Sequence, residues 1–200
     1  MLLIPLLRKA PKRCTQPIAN TLLTMHILGT LNSRQIFYCK PRTDEKWFEK
    51  LPARNWIAFT ISNNDEDGLT QNIAVKCLDK EVSCICSAGQ FASETEDFFI
   101  DEIVRRNSQK EQARGESDDE DSSPMLTFHS NFSEGVWFAA FSAYPSIGDK
   151  YLDIDKIVCI DTTIEGVRKH LINLIQKFEL GELPSDTEIE EPIYDSSFDK

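Results

Sequence analysis

Glycine is scarce in this chain, 8 in 200 residues, and no turn reads G-x-G-x-x-G or G-x-x-x-x-G-K. A dinucleotide or P-loop site needs glycines so that backbone N–H groups can approach phosphate. The shortage argues against a nucleotide, and no cofactor is expected. C-x-x-C pairs are also missing, although there are 6 cysteines. Cys39, Cys77, Cys84, Cys86 and Cys159 fall in apolar stretches and read as small core residues of a reducing compartment, with no spacing that implies a metal. Cys86 lies near a strand end, but an apolar setting should raise its thiol pKa and leave it inert. No apolar run is long enough to span a bilayer. Met1–Leu7 is apolar, yet Arg8, Lys9, Lys12 and Arg13 follow it, the reverse of the order in a secretory signal. A cytoplasmic protein is therefore expected. Met25 is a candidate alternative start, which would make the residues before it an upstream extension of the reading frame.

Cations are scarce in most of the chain. Ten Lys/Arg stand against three Asp/Glu up to Arg54 (net +7), and twelve against thirty from Asn55 onward (net −18). An acidic body repels phosphate backbones, which argues against nucleic-acid binding and suits a basic protein partner. The basic N-terminal arm is expected to lie against the acidic body.

What the chain does have is a rhythm. Apolar runs at Trp56–Ile61, Val82–Cys86, Met125–His129 and Ile157–Ile160 are each followed by a helical pattern. Runs of that length alternating with helices predict βα units around a mostly parallel sheet. Gln35–Cys39 reads as a further strand, and Ile18–Leu31 as either a short helix or a strand. Helix starts are marked by three S/T/N-x-x-E patterns, Ser93–Glu96, Asn131–Glu134 and Thr162–Glu165. Trp137, Ala140, Phe141 and Tyr144 recur at helical spacing and read as a buried stripe, with Phe138 off it and free to cover a sheet edge or a partner. The expected architecture is a three-layer α/β sandwich with a mostly parallel sheet of four or five strands, flavodoxin-like or Rossmann-like. Residues 1–34 read as the basic arm, 35–183 as a single domain, and 184–200 as an acidic tail in which Ile189, Ile193, Tyr194 and Phe198 are available for docking.

Parallel βα units place their functional crevice at the carboxyl ends of the strands, near the switch in strand order. Asn63, Asp65, His129, Ser130, Asp161 and Thr162 are the candidate residues there, with Asn64, Ser87 and Asn131 beside them. Asp65, Glu66, Asp67 and Asp161 have the chemistry of a magnesium site, but helix capping and solvation account for them more simply. His129 and Ser130 are adjacent in a strand, so their side chains diverge, and no G-x-S-x-G elbow presents a nucleophile.

The stretch Leu126-Thr127-Phe128-His129, followed by Glu134 and then Val136-Trp137-Phe138, resembles a bacterial family of uncharacterised α/β domains. Trp56–Ile61 is similar too, and the likeness runs from Gln35 to Leu180, with fewer acidic residues between His129 and Trp137 than the family pattern has. The resemblance implies the α/β fold and a bacterial origin, and no activity. Two readings of function follow. One is a non-enzymatic protein-interaction or regulatory module, immunity-like, that binds a basic partner. The other is a small enzyme or ligand-binding domain using the strand-end crevice.

Overall fold

A computed structural model describes residues 25–63, 68–114 and 123–184. Strands β1 (His26–Leu31) and β2 (Arg34–Cys39) form a hairpin, and two short 3-10 turns, Pro41–Thr43 and Trp47–Lys50, lead to β3 (Ile57–Ile61). There follow α1 (Leu69–Asp79), β4 (Cys84–Ala88), α2 (Ala92–Arg114), β5 (Met125–His129) and α3 (Phe132–Phe141). A small hairpin of β6 (Ser146–Ile147) and β7 (Lys150–Tyr151) precedes β8 (Lys156–Asp161) and α4 (Arg168–Glu179). The main sheet has six strands in the order β1-β2-β8-β3-β4-β5, and only the β1–β2 pair is antiparallel.

Strand order dictates the layers. From β3 the chain steps one strand at a time to β4 and β5, then returns over β4 and β3 to reach β8. Right-handed crossovers put outward and returning helices on opposite faces. Accordingly Ile73, Cys77 and Phe99, from α1 and α2, share one core with Ala58, Ile85, Val158 and Ile160 of the sheet. Phe132, Ala140, Leu171 and Ile175, from α3 and α4, share the other with Phe59, Cys84, Cys86 and Cys159. The period-two alternation of strand residues feeds both cores, so the central strands are buried throughout.

The expected sandwich is present, with differences that have local causes. The sheet is larger than four or five strands and begins at His26, inside the stretch read as the arm, because β1 folds back on β2. Asn32 (φ 47°) and Ser33 (φ 64°) make that two-residue turn, the type I′ geometry that normally carries Asn-Gly. β4 starts at Cys84, because the Val82 N–H bonds back to the Cys77 carbonyl at the end of α1. The stripe on α3 is rotated from the expected one. Phe132, Val136, Ala139, Ala140 and Ala143 are buried, Trp137 and Phe141 are only half-buried, and Tyr144 is exposed. At Gly135 the helix lies too close to the sheet for a large side chain, since a Cβ there would stand 3.1 Å from the Phe59 ring. Trp137 and Phe141 instead stack on each other at 5.5 Å along its flank. Of the three capping patterns, Asn131 acts as expected, its side chain accepting the Glu134 N–H at 3.1 Å. Ser93 lies inside α2, which begins at Ala92, and α4 begins only at Arg168, well past Thr162.

Candidate functional site

The chain leaves β3 toward the α1 face and leaves β8 toward the α4 face, so the switch point lies between the carboxyl ends of these two strands. Asp161 ends β8 there and is wholly buried. One carboxylate oxygen accepts the Thr163 N–H (2.9 Å) and hydroxyl (2.7 Å). The other accepts the Tyr38 hydroxyl (2.6 Å) and the Val167 N–H (2.9 Å). Burial, reinforced by the neighbouring Asp161, pushes the Tyr38 phenol well above its usual range. Asp161 thus holds the β8–α4 loop, and α4 itself starts without a side-chain cap.

The mouth of the switch point is strapped by the protein's own groups. The Thr162 N–H and hydroxyl both donate to the Ile61 carbonyl at 2.9 Å, and Arg42 Nε donates to the Thr162 carbonyl at 2.6 Å. The Ser62 N–H donates to the Ala88 carbonyl, and the Phe91 N–H to that of Ser62. Gly89 (φ 118°) makes this crossing feasible, since a Cβ there would stand 2.1 Å from the Ser62 carbonyl oxygen. Thr60 and Ser87 hydroxyls pair at 3.0 Å beneath. Asn63 is half-buried at the end of β3, and among the described residues its Oδ1 has no hydrogen-bond partner.

His129 sits elsewhere. The register aligns His129 with Ala88, Ala88 with Ile61, and Ile61 with Asp161. His129 and Asp161 therefore share a row and a face but stand three strand spacings apart, about 14 Å. The His129 ring packs on Phe138 at 4.9 Å, so Phe138 does cover the outer strand. Its Nε2 is buried with no partner among the described residues. Below it the Cys84 and Cys86 sulfurs lie 3.6 Å apart, both wholly buried. Their shared proton eases ionisation of Cys86 against the opposing effect of burial, and His129 and Thr127 act in the same sense. The same contact, with burial, pushes Cys84 up. The Cys86 thiol is thus pulled down rather than raised as its apolar run suggests. Ser130 is exposed. Asp161 and Thr162 are together, Asn63 belongs to the adjoining strand end, and His129 and Ser130 form a separate group at β5. Asn64 and Asp65 lie outside the described residues, as do Met1–Leu7 and the tail from Ser185. Sequence reasoning missed Tyr38 and Arg42; the alternation of Gln35–Cys39 was the available signal for Tyr38.

A cavity of about 820 Å³ opens at the other edge of the sheet, the amino ends of β3, β4 and β5, where Arg54, Arg106, Lys110, Ile103 and Pro124 line it. Among the described residues, no cluster of three or more His, Cys, Asp or Glu has the geometry of a metal site, and no helix is long and apolar enough to cross a membrane.

Fold and switch point together define a doubly wound α/β domain with an added antiparallel edge strand. Residues 34–178 match the family model described as Domain of unknown function (DUF7684), and the chain belongs to that family. The match runs from the first residue of β2 to near the end of α4. No curated protein and no solved structure matches the chain.

Proposed function

We infer that this domain is a protein-interaction or regulatory module, immunity-like in character, whose partner is a basic protein. The observation that carries the reading is the state of the switch point. All four bonds at Asp161 and both donors of Thr162 are spent holding loops to strand ends, and the nearest histidine in its row is about 14 Å away. An enzyme of this architecture uses such groups on substrate. A net charge of −11 favours a cationic partner, with association steered by long-range attraction. A reducing, cytoplasmic setting fits five described cysteines that are all free and buried. Affinity purification with the full chain as bait, at low and at high salt, tests the reading. A partner retained at low salt and released at high salt is expected, and no retained partner at either refutes it.

Two unpartnered buried atoms, Asn63 Oδ1 and His129 Nε2, favour a second reading as a small enzyme or ligand-binding domain. A thermal-shift screen with nucleotides and divalent ions tests it, because a ligand that binds only the native state raises the midpoint. A rise abolished by His129→Ala or Asn63→Ala supports this reading, and no rise with any compound refutes it for those classes.

A further inference from the structure

The two edges of the sheet are built differently. β1 has a register irregularity between Ile27 and Gly29, and α4 lies close against it, with Ile175 2.8 Å from where a Gly29 Cβ would be. A bulge and a covering helix are the usual protections of an edge strand. β5 has neither. Its five residues, MLTFH, keep unbroken parallel register with β4 and contain no lysine, arginine, carboxylate or proline. Among the described residues nothing pairs with its outer side.

Apolar surface continues beside that edge. Phe128 points to the α2 face and is 54% exposed. On α2, Glu102 and Arg106 face α1, where Arg106 bonds the Val75 carbonyl and Asp79. Helical spacing turns Ile100 (40% exposed) and Val104 (57%) away from α1. Toward the carboxyl end of β5 the charge has one sign, whereas Arg105, Arg106 and Lys110 lie by the cavity at its amino end. Residues 91–104 and 125–149 contain no lysine or arginine. Glu96, Asp97 and Asp101 on α2 and Glu134 on α3 provide carboxylates. Partial burial and the adjacent Asp97 push Glu96 upward, while His129 pulls it the other way.

We propose that β5 is the docking edge for the basic partner, and that the partner adds an extended strand whose apolar side chains cover Phe128, Ile100 and Val104 while alternating lysines or arginines meet the carboxylate rim. This deepens the interaction reading and rests on it. Backbone hydrogen bonds supply part of the affinity of such strand addition, and alternate side chains supply its selectivity. A second copy of this chain would bring one acidic rim against another, so it is the weaker occupant.

Two synthetic octapeptides, one alternating lysine with valine and the other glutamate with valine, test the edge with the isotopically labelled full chain. The lysine peptide should shift the amide signals of Met125–His129, weaken as salt rises, and leave the glutamate peptide without effect. Phe128→Lys replaces an exposed side chain, so it should keep the unfolding midpoint while lowering affinity at least about tenfold; Ile100→Lys should act in the same direction. Signals that shift elsewhere, equal binding of both peptides, or full affinity in both variants would overturn the proposal. If the edge fails but a salt-sensitive partner is retained in the affinity experiment, the surface is wrong and the interaction reading survives. If neither experiment detects binding, both fall.

Discussion

Arg34 opens β2 beneath α3 and is only 4% exposed. Its Nη1 donates to the Ala139 carbonyl at 2.6 Å and its Nη2 to that of Ala143 at 2.8 Å. The guanidinium also lies 5.1 Å from the Tyr144 ring centre. These partners are carbonyls at the negative end of a helix and one aromatic face. Burial pushes the guanidinium below its ordinary pKa, so the charge itself is costly here. Two charge-assisted bonds contribute roughly 3–6 kcal/mol in gross terms, and the ring adds about 0.5–1 kcal/mol. Arg34→Met removes both and leaves two buried carbonyls unsatisfied, but it also relieves the desolvated cation, which returns a few kcal/mol. The expected net loss is about 2–4 kcal/mol, or a fall in midpoint of roughly 5–15 °C for a chain of this size. Arg34→Lys, which keeps the charge but can reach only one carbonyl well, should fall between the two. Urea and thermal unfolding of the three proteins measure this. An Arg34→Met variant as stable as the parent would mean that desolvation equals the bonds, and the helix-end anchor would lose its standing as a stabilising contact.

At the hairpin, Ser33→Gly should stabilise by about 0.5–1 kcal/mol in denaturant unfolding, because Ser33 is held at φ 64° in a type I′ turn where glycine is unstrained. Gly89→Ala should cost at least about 3 kcal/mol and lower the yield of folded protein, since its Cβ has no room beside the Ser62 carbonyl. Glu102 is held down to about 2, first by its bonds to Arg105, against partial burial, and then by Arg106. A carboxyl lowered in the folded state stabilises above its ordinary value of 4.5 and loses that contribution as pH falls toward about 2. The midpoint difference between the parent and Glu102→Gln should therefore be constant near neutrality and close across that acid window; a gap that stays open at the acid end would contradict the pairing.

Apolar runs and their punctuation made much of the sheet readable in advance. Met125–His129 is bounded by Pro124 and Asn131, and the strand occupies those five residues. Val82 misled because an apolar residue can serve a helix terminus as well as a strand, and here its N–H closes α1. The β1–β2 hairpin was obscured by the turn, where Ser33 replaces the glycine that would have announced it. On α3 the aromatic spacing was genuine, but periodicity does not report interaxial distance. Gly135, Ala139 and Ala143 set a close approach that small residues satisfy and Trp137 does not.

The site was less legible than the fold because it depends on strand order. Consecutive strands lie side by side about two-thirds of the time, and β8 is the next long strand after β5. Had it joined the sheet there, His129 and Asp161 would share a row at one strand spacing, about 5 Å, close enough to work as a pair. Instead α3 carries the chain back across the sheet and β8 enters between β2 and β3. That insertion is favoured by burial, since Ile157, Val158, Cys159 and Ile160 become covered on both faces as an outer strand could not be. The outer position falls to β5, whose Phe128 remains exposed. The burial that draws β8 to the centre thus separates the histidine from the aspartate and, among the described residues, leaves the outer side of β5 unpaired.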